Sequence, residues 1–212
     1  MTKKIRCLIS AGPTREWIDP VRFISNPSTG KMGYALAEAA LARGFEVDLV
    51  SGPVSLTTPQ GVRLHSVVTA AEMEESMSEL FAEANLVIMC AAVCDHRPLK
   101  RWNEKLSKDD FPKNLEWVKN NDIVAGLSAN RKKDQKIIGF AAETTNAMAH
   151  AATKVEKKGL DWIAMNEVSK EGIGFASDFN DITLLSNTGE TISLGRLTKK
   201  KTARKILDRV WP

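Results

Sequence analysis

The amino-acid sequence predicts an α/β protein: a doubly wound, mostly parallel sheet that ends in an antiparallel hairpin. Three observations predict it. Short apolar runs at 5–11 and 86–93 have the make-up of strands covered on both faces. Segments with helical spacing stand between such runs, the order that right-handed crossovers require. Near the C-terminus, stretches 181–185 and 191–194 flank Asn187-Thr188-Gly189, a hairpin signal.

Residues 5–11 form the first strand, stopped by Gly12-Pro13. The polar stretch from Thr14 to Ser28 reads as a loop. Spacing predicts a helix over 31–43, closed by Gly44, because glycine accepts the left-handed backbone of a helix end. Strands follow at 46–50, stopped by Gly52-Pro53, and at 62–68. Thr69, with Glu72 three residues on, is a capping box that opens a helix reaching about residue 84. The most apolar run, 86–93, is the expected central strand. From Cys94 to Pro112 the chain is charged and without periodicity, which suits a functional flap or an unstructured loop. Alternation resumes with a helix over 122–131, a strand over 136–140, a helix over 146–158 closed by Gly159, and a strand over 160–165. A last helix covers 198–210. The expected whole is one Rossmann-like domain over 1–212, with a flap at about 95–112 and the hairpin at about 181–194.

Composition excludes several classes. With 212 residues, 43% of them hydrophobic, the chain can bury a core without disulfide or metal staples. Thirty basic and 26 acidic residues leave +4. Much of the excess lies in Lys199, Lys200, Lys201, Arg204 and Lys205, which read as the solvated face of the last helix. No aromatic interleaving accompanies them, so no nucleic-acid partner is expected. Cys7, Cys90 and Cys94 are expected to be reduced thiols. With His65, His96 and His150 scattered, they lack zinc spacing. There is neither a signal peptide nor an apolar stretch of about 18 residues, so a cytoplasmic protein is expected, with no membrane partner.

In an open parallel sheet, ligands bind beyond the carboxyl ends of the strands, near the reversal of strand order. That directs attention to 12–33, 91–112 and 140–146. The first holds Ser25-Asn26-Pro27-Ser28-Thr29-Gly30-Lys31-Met32-Gly33 at a helix start. Backbone N–H groups there can approach an anion, and the helix dipole adds about 0.3–1 kcal/mol. The same residues equally describe an N-cap turn with glycines for tight packing. The stretch is not a P-loop, because Ser25 stands where a glycine is needed. Nor is it a dinucleotide fingerprint, because Ser28 replaces the first glycine. In the second loop Lys105 is either a solvated lysine or one that closes over a phosphate. Lys154 and Lys158 share one helix face, where they can complement the dipole or reach a polyphosphate.

These residues, taken with their neighbours, match a known pattern. Thr14-Arg15-Glu16, then Ile18-Asp19-Pro20-Val21-Arg22-Phe23-Ile24-Ser25-Asn26, then Ser28 and Gly30-Lys31-Met32-Gly33, open it. Val50-Ser51-Gly52-Pro53-Val54, Ala91-Ala92-Val93 with Asp95, and Glu104-Lys105 continue it. Asn120 with Asp122-Ile123-Val124-Ala125-Gly126, and Gly139-Phe140-Ala141-Ala142-Glu143-Thr144, complete it in order along nearly the whole chain. The chain thereby resembles the phosphopantothenate–cysteine ligases (phosphopantothenoylcysteine synthetases), in particular the bacterial, CTP-using branch.

The resemblance implies a two-step ligation. The carboxylate of 4′-phosphopantothenate attacks the α-phosphate of CTP, giving an acyl-nucleotidylate and pyrophosphate, and the amine of L-cysteine then displaces CMP. It implies catalytic roles for Asn26, in handling the intermediate, and for Lys105, as the flap lysine. Nucleotide-binding positions are implied at Ser28, Gly30, Met89, Cys90, Ala91, Asp95, Lys105, Asn120, Asn121, Asp122, Ile123, Phe140, Lys154 and Lys158. Mg2+ is implied on the triphosphate, held by phosphates and water rather than by protein ligands. A homodimer is implied, with the 181–194 hairpin as candidate contact. So is a decarboxylase that is either a separate protein or missing from this chain.

Three positions depart from the pattern. Pro13 replaces a second glycine and removes a backbone N–H, Ser107 lowers the positive charge of the flap, and Asn121 replaces a proline. These keep open a non-catalytic nucleotide-binding homologue. A short-chain NAD(P)-dependent reductase is the other alternative, but it relies on a Tyr-x-x-x-Lys pair, and four residues after Tyr34 stands Glu38.

Overall fold

A computed structural model describes residues 4–143, 147–167, 174 and 177–212. The main sheet has eight strands in the order β12-β11-β10-β9-β6-β1-β4-β5. They are β1 (Arg6–Ala11), β4 (Glu46–Ser51), β5 (Arg63–Ser66), β6 (Leu86–Met89), β9 (Lys136–Glu143), β10 (Trp162–Glu167), β11 (Phe179–Ser186) and β12 (Thr191–Thr198). From β5 to β10 every pairing is parallel, while β11 and β12 add antiparallel. The chain winds outward from β1 to β4 and β5, then returns past β1 to β6, β9 and β10. The switch point therefore lies between β1 and β6.

The apolar runs form strands because both faces are covered. Cys7, Ile9 and Ala11 pack beneath α1 (Lys31–Ala42) and α5 (Lys199–Val210). Leu8 packs in the opposite cluster with Met73, Met77 and Phe81 of α2 (Ala70–Phe81). That second cluster also takes Ile123 and Leu127 of α3 (Ile123–Ala129) and Ala151 and Val155 of α4 (Ala147–Lys157). Each cluster is the core of one face. Local punctuation behaves as its chemistry requires. Gly44 has φ +79°, and Thr69 accepts the Glu72 N–H at 3.2 Å. The Glu72 carboxylate, however, reaches the N–H of Val68 at 2.7 Å, one residue upstream of a standard capping box. The C-terminal hairpin forms as expected.

Four expectations need correction. The stretch from Thr14 to Ser28 is not simply a loop: β2 (Arg15–Asp19) and β3 (Arg22–Ser25) pair antiparallel within it. Their turn is held by Asp19, whose Oδ1 accepts the N–H groups of Val21 and Arg22, both at 2.9 Å. The 86–93 run stops being a ladder strand at Met89. There the Ser10 hydroxyl accepts the N–H groups of Cys90 (3.1 Å) and Ala91 (3.2 Å). Residues 95–112 contain β7 (His96–Pro98), which pairs antiparallel with β8 (Trp117–Lys119). The loop between them is pinned to β2 and its turn, by Trp102 N–H on Ile18 O at 2.9 Å and by Leu106 N–H on Asp19 Oδ2 at 3.3 Å. Finally, Lys199 is not on a solvated face but is 7% exposed. Among the described residues no helix is long and apolar enough to cross a membrane.

Candidate active site

At the carboxyl ends of β1, β6 and β9 two cavities adjoin. One, of about 390 Å³, touches Asn26, Ser28, Gly30, Cys90, Ala91, Asp95, Phe140 and Lys154. The other, of about 470 Å³, touches Met89, Ala91, Asp95, Asn120, Asn121, Asp122, Ile123, Phe140, Lys154 and Lys158. Ala91, Val93, Asp95, Phe140 and Lys154 border both. The two lobes thus meet along the chain that leaves β6 and the aromatic ring on β9. Residues spread over more than 130 positions converge here because the switch point gathers the strand ends.

Backbone geometry at the rim explains several residue types. Gly30 caps α1 with φ +75°, a backbone conformation glycine accepts, and its N–H donates to the Ser28 hydroxyl at 3.4 Å, which sets that side chain at the helix start. A Cβ on Gly33 would lie 2.5 Å from the Ala11 Cβ, so α1 approaches β1 closely only because this residue is glycine. Pro13 forms a parallel bridge with Ala92. That bridge uses the Gly12 carbonyl (2.8 Å from Ala92 N) and the Thr14 N–H (3.3 Å from Ala92 O). The N–H that proline lacks is not one the bridge needs.

Asn26 is half-buried and donates its amide N–H groups to the carbonyls of Ala92 and Val93, both at 3.1 Å. With both donors engaged, its Oδ1 is the remaining polar atom, so the side chain offers the cavity an acceptor. Asn120 is buried and ties the turn together. It donates to Cys94 O (2.8 Å) and accepts from Arg97 (2.7 Å). Asn121 donates to both oxygens of Glu74. Asp122 caps α3 by accepting the Ala125 N–H at 3.1 Å and pairs with Lys158 at 2.9 Å. Burial opposes its ionisation, but the Lys158 hydrogen bond, the Ala125 N–H and the charges of Lys158 and Lys119 prevail, holding the carboxyl below its ordinary value. Burial pushes the Cys90 thiol up to about 12, so it is a neutral wall group.

Lys105 is the predicted residue the structure does not bring in. It is exposed and lines neither cavity, on the loop segment between the Trp102 and Leu106 anchors. Conversely, Lys31, Asn180 and Lys199 line the first cavity without having been anticipated. Lys31 was visible, directly after Gly30. Asn180 and Lys199 carried no local signal. Among the described residues no three His, Cys, Asp or Glu side chains gather as a metal-holding group.

A doubly wound α/β domain with a polar cavity at its switch point is the class that fold and site define. The chain belongs to the family described as the DNA/pantothenate metabolism flavoprotein C-terminal domain, whose model matches residues 2–212. It is 47% identical over 205 residues to the coenzyme A biosynthesis bifunctional protein CoaBC of Vibrio parahaemolyticus, covering 96% of this chain and 51% of that protein. The chain spans about half the length of the curated relatives it matches. Among solved structures, it is 40% identical to the C-terminal domain of a CoaBC protein, with a TM-score of 0.82, covering 97% of this chain and 93% of that one. A Cab2 mutant in complex with phosphopantothenate-cysteine shares the fold, at 17% identity and a TM-score of 0.75.

Proposed function

We propose that this chain is a phosphopantothenate–cysteine ligase that activates 4′-phosphopantothenate with CTP and transfers the acyl group to L-cysteine. The observation that carries the reading is the meeting of Asn26, Asp95 and Phe140 around two adjoining cavities at the switch point. Two lobes suit a nucleotide and an acid that must react with each other. The family match and the CoaBC relatives support the pathway.

A carboxylate is a poor electrophile, so its oxygen must first become part of a leaving group. The carboxylate oxygen attacks the α-phosphorus and pyrophosphate departs. The neutral amine nitrogen then attacks the acyl carbon, the bond to the nucleotide oxygen breaks, and CMP leaves as the nitrogen gives up one proton and keeps the other as the amide N–H. The protein's part is positioning and charge stabilisation. Phe140 borders the base, Lys154 and Lys158 meet phosphates, and Ser28 and Gly30 offer the start of α1 to an anion. Met89, Cys90, Ala91, Asn120, Asn121 and Ile123 shape the nucleotide lobe. Asn26 orients the reacting acyl group through the rim it is bonded to. Lys105 acts after the pinned loop shifts toward the site. Mg2+ carried on the triphosphate would neutralise phosphate charge, and Asp95, the carboxylate bordering both lobes, would face it.

The active form is a cytoplasmic homodimer working beside a decarboxylase. Exposed apolar side chains suited to a second copy lie on Val21, Phe23, Ile24, Leu99 and Trp117. This favours the β2–β3 and β7–β8 region over the 181–194 hairpin as the contact.

Pyrophosphate release in the presence of 4′-phosphopantothenate, cysteine and magnesium, measured side by side with CTP and ATP, tests the reading. Release that requires the acid, faster with CTP, is expected. Nucleotide binding without release overturns ligation, and equal rates overturn the CTP assignment.

A further inference from the structure

One wall of the first cavity carries a group that the ligation scheme above does not use. Asn180, on β11, is 3% exposed. Its Nδ2 donates to the Met32 sulfur at 3.2 Å, while its Oδ1 is closed from solvent and has no hydrogen-bond partner. A buried carbonyl oxygen left unbonded is costly, and such groups in native folds are kept where something else completes them. The same wall holds Lys199, also buried, whose ammonium donates to the backbone oxygens of Gly174 and Ser177. These partners are neutral dipoles and leave its charge in place. Lys31 stands on the same cavity, paired with Asp178 at 2.6 Å.

An unbonded acceptor in a cavity that also receives two lysines selects among ligands. A phosphate ester at neutral pH presents chiefly unprotonated, negatively charged oxygens and would set oxygen against oxygen at Asn180. An α-amino acid presents N–H donors and a carboxylate one carbon apart, the complement of Asn180 and Lys199. Resting on the ligase reading, we propose that this wall is the subsite of the amino-acid nucleophile. On binding, the Asn180 side chain turns its closed Oδ1 toward the cavity to accept from the amine, and Lys199 attracts the carboxylate. The subsite shares its cavity with Asn26 and Ala92, which places the amine where the activated acyl group is to be met.

The test separates the two half-reactions. Exchange of labelled pyrophosphate into CTP, with 4′-phosphopantothenate and no cysteine, involves no amine. Steady-state KM for L-cysteine reads the subsite. Asn180→Ala is expected to raise that KM about tenfold or more, while exchange and the KM for 4′-phosphopantothenate stay within about threefold. Cysteamine, which lacks the carboxylate, should show a KM at least about tenfold above that of cysteine with the unaltered protein, a measurement that needs no variant to fold. An unchanged cysteine KM in Asn180→Ala, a rise carried instead by 4′-phosphopantothenate, or cysteamine equal to cysteine overturns the subsite. Absence of exchange in the unaltered protein overturns the ligase reading itself.

Discussion

Lys158 Nζ lies 2.9 Å from Asp122 Oδ2, joining the end of α4 to the cap of α3 across the nucleotide lobe. One carboxylate therefore both starts a helix and fixes a lysine that borders the cavity. Asp122→Ala removes the cap and is expected to cost about 1 kcal/mol, with little added by the partly exposed ion pair. Because the folded state holds this carboxyl below its ordinary value, its contribution is complete above the usual carboxylate range. It is lost as pH falls through the depressed value. Urea denaturation of parent and variant should show a gap at pH 7 that narrows on acidification, and a gap that widens at low pH contradicts the assignment.

The amide of Asn26 bridges two carbonyls, so Asn26→Asp sets a carboxylate against the oxygens of Ala92 and Val93. Two hydrogen bonds become repulsions. Loss of about 1–3 kcal/mol of stability is expected, together with a fall in turnover of about a hundredfold or more. Thermal unfolding and pyrophosphate release measured on one preparation check both. Full turnover with unaltered stability would remove Asn26 from the site.

Gly33→Ala tests the seat of α1. The new methyl would lie 2.5 Å from the Ala11 Cβ, in a contact between a helix and a central strand that neither can relieve by a side-chain rotation. Destabilisation of about 1–3 kcal/mol is expected, as for other overpacked cores. Weaker nucleotide binding should accompany it, since the helix start moves with the helix. A melting temperature equal to the parent's would show that the close approach is not needed.

Lys105 borders neither cavity, so Lys105→Gln is expected to leave nucleotide affinity within about threefold while turnover falls at least about tenfold. Calorimetric titration with CTP and a pyrophosphate assay separate the two effects. Loss of binding would mean that the lysine contacts the nucleotide from the start, and unchanged turnover would end its assignment to the flap.

Legibility followed the range of the interactions involved. The strands β1 and β6 could be read because burial on both faces writes an apolar run, and Gly44, Thr69 and Asn187-Thr188-Gly189 because caps and turns are local chemistry. Most of the candidate site was readable as a motif in order along the chain, though not from periodicity, and only the first loop announced itself by composition. The β2–β3 pair escaped because Arg15, Glu16, Arg22 and Ser25 mask its strand character, and its decisive bonds are backbone pairings and the Asp19 turn. The burial of Lys199 escaped for a similar reason. A lysine in a basic cluster looks solvated until the carbonyls of Gly174 and Ser177 are seen to receive it.

By itself, then, the sequence determined the class of sheet and the alternation of its strands and helices, since hydrophobic burial and local turn chemistry are properties of neighbouring residues, and its motifs marked much of the rim. The tertiary structure alone decided which way the Asn26 amide faces, where β6 ends against Ser10, that Lys105 stands outside the cavities and that Asn180 is left with an unbonded oxygen. Each of these depends on hydrogen bonds between residues tens of positions apart, and no pattern along the chain records whether a distant partner is present.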